Sequence, residues 1–342
     1  MDRAGPMLHL SSVPMPVGVE PEIRRATAAD LPAVLDLLGT ALGWVPDAQH
    51  RLFFAWKHDE NVFGPSAAWT AMDGDRVVAF RSFLRWQLEH GGRVERAVRA
   101  VDTATHPDYR RRGLFSRLTL HALEELRGEG VAVVFNTPND QSRPGYLKMG
   151  WQVVAPRLPV LFRPRSPGAL VRLARARVPA EKWSLPTSAG VSASEVLAER
   201  PAVERLLASL PAERALHTRR SAGYLAWRYG FGPLAYRAEL AGAGVEDGMV
   251  LFRLRRRGAA LEAAVCELLV PGGEARVARS LLRRLLATSG ADYAVRLGGP
   301  GVARSGYLPL VGQGPTLVAR GVATGSLPPA GWRLTLGDVE LF

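Results

Sequence analysis

The sequence predicts an α/β (α+β) fold, with a mixed antiparallel and parallel central sheet flanked by helices. Residues 67–88 hold two strand-like runs about the turn Asp73-Gly74-Asp75, the pattern of an antiparallel hairpin. From Phe115 the apolar residues Phe115, Leu118, Ala122 and Leu126 recur at steps of three and four, which gives a helix one buried face. Residues 131–135 are a short unbroken apolar run, suited to a strand covered on both sides. A helix between two strands of one sheet defaults to a right-handed parallel crossover. The sheet should therefore be antiparallel first and parallel after the helix.

In chain order, residues 23–26 read as a short first strand. Thr27, with Asp30 three residues on, forms a variant capping box, and Leu31, Val34, Leu35 and Leu38 follow at helical spacing. Residues 43–65 carry Trp44, Phe53, Phe54, Trp56 and Phe63 among charges, either as a helical core segment or as an aromatic wall for a bound molecule. His90-Gly91-Gly92 turns the chain into a third strand, over 94–105.

Beyond residue 155, Pro156, Pro159, Pro164, Pro167, Pro179 and Pro186 interrupt the pattern, and 172–177 form a basic helical patch. Tyr224, Leu225, Trp227, Arg228 and Tyr229 form a compact aromatic segment expected in the core. Strands over 236–240, 249–257 and 261–269 precede Pro271-Gly272-Gly273. A helix over 275–289 follows, with Val277, Leu281, Leu282 and Leu285 on one face, and then a strand over 292–296. This order repeats the first half. Residues 298–314 are loop-rich, and 332–336 read as a last strand.

The link between the third strand and the Phe115 helix carries the chemistry. Small and β-branched residues over 97–103 favour extended backbone, and Pro107 pushes His106 away from helix. Tyr109-Arg110-Arg111-Arg112-Gly113 then feeds the helix, which ends at Gly128 and Gly130. A helix N-terminus offers free N–H groups and a positive dipole end, and a glycine there lets backbone approach an anion closely. Three arginines at that end oppose the dipole. A bound polyanion would offset this.

Arg110-x-x-Gly113-x-Phe115 resembles the Arg/Gln-x-x-Gly-x-Gly/Ala loop of the GNAT (GCN5-related) N-acetyltransferases, with bulky Phe115 in place of the small residue. Asn139, Tyr146, Gly150 and Trp151 match that family's Asn…Tyr…Gly-Phe pattern. The resemblance covers residues 20 to 155 and implies a GNAT fold using acetyl-coenzyme A, or another acyl-coenzyme A, as co-substrate. It implies that Arg110, Arg111, Arg112, Gly113, Leu114 and Phe115 hold the pyrophosphate and that Asn139 contacts the pantetheine arm. Backbone donors at Val101, Asp102 and Thr103 would polarise the thioester carbonyl. Tyr146 would bind the same ligand and protonate the leaving sulfur, since a phenol of pKa about 10 keeps its proton at neutral pH. Asp102 is the candidate base, with His106, Glu89, His90 or a water relay as alternatives.

The expected division is a flexible lead over 1–20, a catalytic GNAT domain over 21–160, a connection over 161–210 and a degenerate second GNAT-like domain over 211–342. The second domain would close the acceptor pocket or form the face of a homodimer. The reaction expected is acyl transfer to the amine of a small molecule, an amino sugar or secondary-metabolite amine, by direct attack in a ternary complex. The alternative is a non-catalytic acyl-coenzyme A binder.

Composition narrows the field. The 342 residues suffice for two domains, and 47% hydrophobic content fits a globular chain. No apolar run is long enough for a bilayer, and the N-terminus has no secretory pattern, so a cytoplasmic location is expected. The one cysteine, Cys266, permits no internal disulfide and no cysteine-pair metal site; no metal is expected. A net charge of +12 raises nucleic-acid binding, but the arginines are dispersed and no nucleic-acid motif is found. No Gly-x-Ser-x-Gly elbow supports Ser-His-Asp chemistry.

Overall fold

Two mixed sheets organise the chain in the computed structural model, which describes residues 20–43, 45, 47–175, 178–298, 307–310, 312–323, 327 and 331–340. Residues 1–19 of the lead expected over 1–20, Trp44, the end of the basic patch at 176–177 and much of the loop expected over 298–314 lie outside the described residues.

The first half runs β1 (Glu22–Arg25), α1 (Leu31–Leu42), α2 (Ala48–His58), β2 (Ala67–Asp73), β3 (Arg76–His90), β4 (Arg93–Thr105), α3 (Leu114–Gly128), β5 (Val133–Asn136), α4 (Arg143–Lys148) and β6 (Gln152–Ala155). Strands β1 to β4 pair antiparallel in order, and β5 joins β4 in parallel, as the crossover through α3 requires. Asp30 accepts hydrogen bonds from the Thr27 N–H and hydroxyl and from Arg24, which fixes the entry into α1. In α3, Leu114, Leu118, Ala122, Leu123 and Leu126 are buried, each leucine stabilising the fold by about 1.5–3 kcal/mol. Phe115, expected on that face, is half-buried and turns toward α4, because Leu114 takes the inward position at the start of the helix.

The second half runs β7 (Val160–Pro164), α5 (Pro167–Arg175), β8 (Val191–Ser192), α6 (Ala193–Ala198), α7 (Arg200–Ala208), β9 (Leu216–Thr218), α8 (Ala222–Gly230), β10 (Arg237–Leu240), β11 (Met249–Arg257), β12 (Ala260–Leu269), α9 (Ala275–Thr288), β13 (Tyr293–Leu297), β14 (Leu308–Pro309), β15 (Leu317–Gly321), β16 (Trp332–Arg333) and α10 (Leu336–Val339). Its sheet repeats the first topology: β10, β11 and β12 are antiparallel, α9 crosses over, and β13 lies parallel to β12. The strand expected over 332–336 is shorter, since Thr335 and Asp338 open α10 there.

The halves exchange strands. β7 leaves the first sheet to pair with β13, register Val160↔Leu297 to Pro164↔Tyr293, while β15 returns to lie between β5 and β6. Each sheet is thus completed by a strand from the other half, and the expected boundary at 160/161 falls inside an exchanged strand. One apolar core spans both, joining Phe53, Trp56, Trp86 and Phe135 to Tyr224, Leu225, Leu251 and Cys266. The aromatic stretch of the first half supplies Phe53, Phe54 and Trp56 to the interior.

Candidate functional site

The loop before α3 takes its shape from backbone geometry. Residues 107–109 form a short turn, Arg111 has φ 62°, and Gly113 has φ 74° as it caps the helix. A Cβ at Gly113 would meet nothing within 4 Å, so glycine is needed there for conformation and not for space. The N–H groups of Ser116 and Arg117 both reach the Gly113 carbonyl, so the helical ladder starts behind those of Leu114 and Phe115. Arg110, Arg111, Arg112 and Gly113 are exposed. Among the described residues none of the three arginines makes an ion pair; Arg112 lies over the Tyr109 ring at 4.8 Å. The cluster is a loose, open, positive end.

Tyr146 sits in α4, 4% exposed, with Trp151 at 5.2 Å and the edge of Phe115 at 5.3 Å between ring centroids. Its phenolic oxygen accepts a 2.7 Å hydrogen bond from Arg81 Nη1, and the same nitrogen donates to Thr103 Oγ1 at 2.7 Å. One guanidinium thus joins the helix carrying Tyr146 to strand β4. Asn139 is engaged locally: its side-chain oxygen accepts from the Ser142 N–H and hydroxyl, each at 2.9 Å, and shapes the start of α4.

Strand β4 is interrupted at Asp102. Arg81 faces Thr103 but Ser82 faces Val101, so Asp102 is bulged out of the ladder with φ 35°. Val101, Asp102 and Thr103 therefore lie where strand pairing is interrupted. Asp102 directs its side chain, 4% exposed, to the opposite face of the sheet, where Oδ2 lies 2.7 Å from both Lys57 Nζ and His58 Nε2. The other ring nitrogen of His58 receives the hydroxyls of Ser66 at 2.9 Å and Ser82 at 3.2 Å. Hydroxyls on Nδ1 and a carboxylate on Nε2 suit the neutral, Nε2-protonated ring. Burial pulls Lys57 and His58 below their ordinary values, with Asp102 pulling the other way. Burial pushes Asp102 up, but Lys57 and His58 outweigh it and hold the carboxyl well below the usual range. Asp102 is an ionised carboxylate fixed by two partners.

The other base candidates lie elsewhere. His106 contacts Arg76 at 2.7 Å and the Asp108 N–H. Glu89 is seven residues along β3 from Ser82, roughly 23 Å away at about 3.3 Å per residue, where β3 meets β9.

A cavity of about 350 Å³ opens between the ends of α1 and α2 and the second half, lined by Leu42, Gly43, His50, Glu181, Lys182, Arg255 and Glu340 among others. A smaller hollow of about 80 Å³ beside Pro32, Asp36 and Asp47 includes neither Lys182 nor any residue of the second half. Lys182, on the wall of the larger cavity, and Lys57 of the Asp102 cluster both pack near one ring, Phe53. The Lys182 ammonium lies 4.6 Å from the Phe53 ring centre, and that of Lys57 lies 5.6 Å from the same ring. Burial, helped by the charge of Lys57, pushes Lys182 down to about 8. Glu340 at the rim is bonded by Arg253 and Arg255.

Sequence reasoning named the loop, the bulge and Tyr146 but missed Lys57, His58, Arg81 and Lys182. Two signals were available. Arg81 is a charge inside the apolar run around Phe80, Phe83 and Leu84, and Lys57 stands four residues from Phe53 on a helix stripe that must be buried. Among the described residues, no group of three or more His, Cys, Asp or Glu side chains gathers for a metal, and no helix is long and apolar enough to cross a membrane.

Residues 22–154 match the family model of the acetyltransferase (GNAT) domain. No curated protein matches the chain. A GCN5-related N-acetyltransferase from Kribbella flavida superposes with a TM-score of 0.62 at 20% identity, covering 88% of this chain and 72% of that one. A conserved protein of unknown function from Enterococcus faecalis V583, a probable N-acyltransferase, gives 0.61 at 14%, covering 88% and 73%. Eis1 from Mycobacterium abscessus gives 0.55 at 14%, covering 88% and 74%. At these identities the likeness is one of fold, and it extends through both sheets.

Proposed function

From the match of residues 22–154 to the acetyltransferase (GNAT) domain, we propose that the chain transfers the acyl group of acetyl-coenzyme A to the amine of a small molecule, an amino sugar or secondary-metabolite amine, by direct attack in a ternary complex. One observation carries this reading: Arg81 Nη1 bonds both Tyr146 on α4 and Thr103 beside the β4 bulge, and the Phe115 ring at the start of α3 abuts the phenol. Pyrophosphate site, carbonyl donors and acid thus converge. Arg110, Arg111 and Arg112, which make no ion pair among the described residues, and the N–H groups at Gly113, Leu114 and Phe115 fit a diphosphate. Asn139 supports the turn beneath the pantetheine arm.

The second half, with its Pro271–Gly273 turn in place of an Arg-x-x-Gly loop, is a degenerate GNAT-like unit that closes the acceptor cavity. In the reaction, the amine nitrogen forms the C–N bond, backbone donors at Val101, Asp102 and Thr103 hold the carbonyl oxygen, and the C–S bond breaks as sulfur takes the Tyr146 proton. For the amine proton the arrangement favours Lys182, directly or through water. Asp102 is fixed as an ionised carboxylate by its two partners, whereas Lys182 lines the cavity with a pKa near physiological pH. Asp102 then acts by anchoring Lys57 and His58.

A specific contact favours a second reading. The Phe115 ring packs against both Tyr146 and Gly145, between α3 and the phenol, as a residue narrowing the donor channel would. On that reading the protein binds acyl-coenzyme A without turnover. Mass spectrometry of acyl products after incubation with acetyl-coenzyme A and an amine library separates the two. Products lost in both Tyr146→Phe and Gly113→Glu support transfer, while calorimetric binding with no product from any amine supports the binder.

A further inference from the structure

Arg81 is the least expected residue of β3. It is 1% exposed, among Phe80, Phe83 and Leu84. The other buried arginines each bond backbone carbonyls or a carboxylate: Arg99 the carbonyls of Asp338 and Val339, Arg228 those of Gly337 and Glu340, Arg253 the Glu340 carboxylate. Arg81 bonds neither a carbonyl nor a carboxylate among the described residues. Only Nη1 is bonded, to Thr103 and Tyr146, while Nε and Nη2 are buried without a hydrogen-bond partner. The guanidinium instead lies against the Phe83, Tyr146 and Phe115 rings, at 4.5, 5.3 and 5.6 Å from their centres. A buried cation without an anion is costly, and ring faces compensate only part of it. Such a group gains stability when negative charge arrives beside it.

We propose that Arg81 is the positioning residue of the acyl-transfer step, orienting the Tyr146 hydroxyl toward the departing sulfur and holding the charge that remains on the phenol oxygen. This rests on the acyl-transfer reading above. Because Tyr146 accepts from Arg81, its own proton must point elsewhere, and no acceptor for it stands among the described residues. As the C–N bond forms, the C–S electron pair leaves on sulfur and sulfur takes the phenol proton. The phenolate stays on Arg81 Nη1 until the proton that Lys182 takes from the amine is passed back to it through water. No further reactant enters.

The test uses the full chain, acetyl-coenzyme A and an amine that the wild type acylates. It compares Arg81→Met, Arg81→Lys, Tyr146→Phe and the double variants. Arg81→Met is expected to lower kcat about 10²-fold, as loss of one charge-stabilising donor does. KM for acetyl-coenzyme A should stay within about threefold, since binding common to ground and transition states is kept. Arg81→Lys should recover about tenfold, and in the Tyr146→Phe background Arg81→Met should cost less than about threefold more, because the two residues act as a unit. Full multiplication of the two effects, or a folded Arg81→Met with wild-type kcat, overturns the proposal. If Arg81→Met does not fold, Arg81→Lys with and without Tyr146→Phe makes the same comparison. A wild type that binds acetyl-coenzyme A but acylates no amine removes the acyl-transfer reading itself, and this one with it.

Discussion

Trp56 and Trp227 donate their indole N–H groups to each other's backbone carbonyls, at 2.8 and 2.9 Å, with their rings stacked at 5.5 Å. Trp56 belongs to α2 and Trp227 to α8, so this reciprocal bond ties the half that carries the Asp102 cluster to the half that contributes Lys182 and Glu340 to the cavity. Replacing Trp227 by Phe keeps an aromatic ring but leaves the Trp56 carbonyl without its donor. We expect a loss of about 1–3 kcal/mol. Urea denaturation followed by tryptophan fluorescence and far-ultraviolet circular dichroism should give one shared transition; two separated transitions would show that the exchanged strands do not couple the halves.

Gly113 separates backbone strain from ligand binding. Gly113→Ala meets no atom but must hold φ 74°, which costs about 1–2 kcal/mol and leaves the chain folded. Gly113→Glu adds a charge repelling a diphosphate and should raise KM for acetyl-coenzyme A at least about tenfold. Calorimetric titration with coenzyme A checks both.

Tyr146→Phe should lower kcat about 10²-fold, the loss of one general acid, and cost about 1–3 kcal/mol of stability, because Arg81 Nη1 keeps only Thr103 while the ring contacts with Trp151 and Phe115 remain. Steady-state kinetics beside a thermal melt decide it. An unchanged kcat would place the acid elsewhere.

Asp102→Asn leaves Lys57 and His58 in the interior without their counter-charge and should destabilise by about 3–5 kcal/mol. The same cluster sets an acid limit. His58 is depressed by burial, so the unfolded chain takes up a proton first, and stability falls as pH drops below about 6.5 toward the folded value. Asp102 is depressed too, so its contribution is complete above about 4 and is lost as pH falls further. Melting temperatures between pH 8 and 2 should drop in two stages. The first stage should vanish in His58→Gln.

Lys182, pushed down to about 8, should place a rising limb in the pH profile of kcat/KM, as the neutral amine becomes the dominant form near that pH. Lys182→Met should abolish the limb. Its stability effect has the same direction: between about 8 and the unfolded value of about 10.4 the folded chain holds fewer protons, so wild-type stability rises with pH relative to Lys182→Met. A limb that persists in the variant assigns the base elsewhere.

The amino-acid order alone determined the strand, loop, helix and strand of residues 97–136 and the Gly113 cap. Each depends on local rules: apolar spacing along α3, the restriction that Pro107 places on His106, and the left-handed backbone that glycine accepts. The repeat in the second half was readable for the same reason. The tertiary structure decided what touches what. Arg81 meets Tyr146 across 65 residues, His58 meets Asp102 across 44, and β15 and β7 change sheets. No periodicity encodes such pairings, because whether a buried charge is satisfied depends on which distant group the packed sheets carry to it.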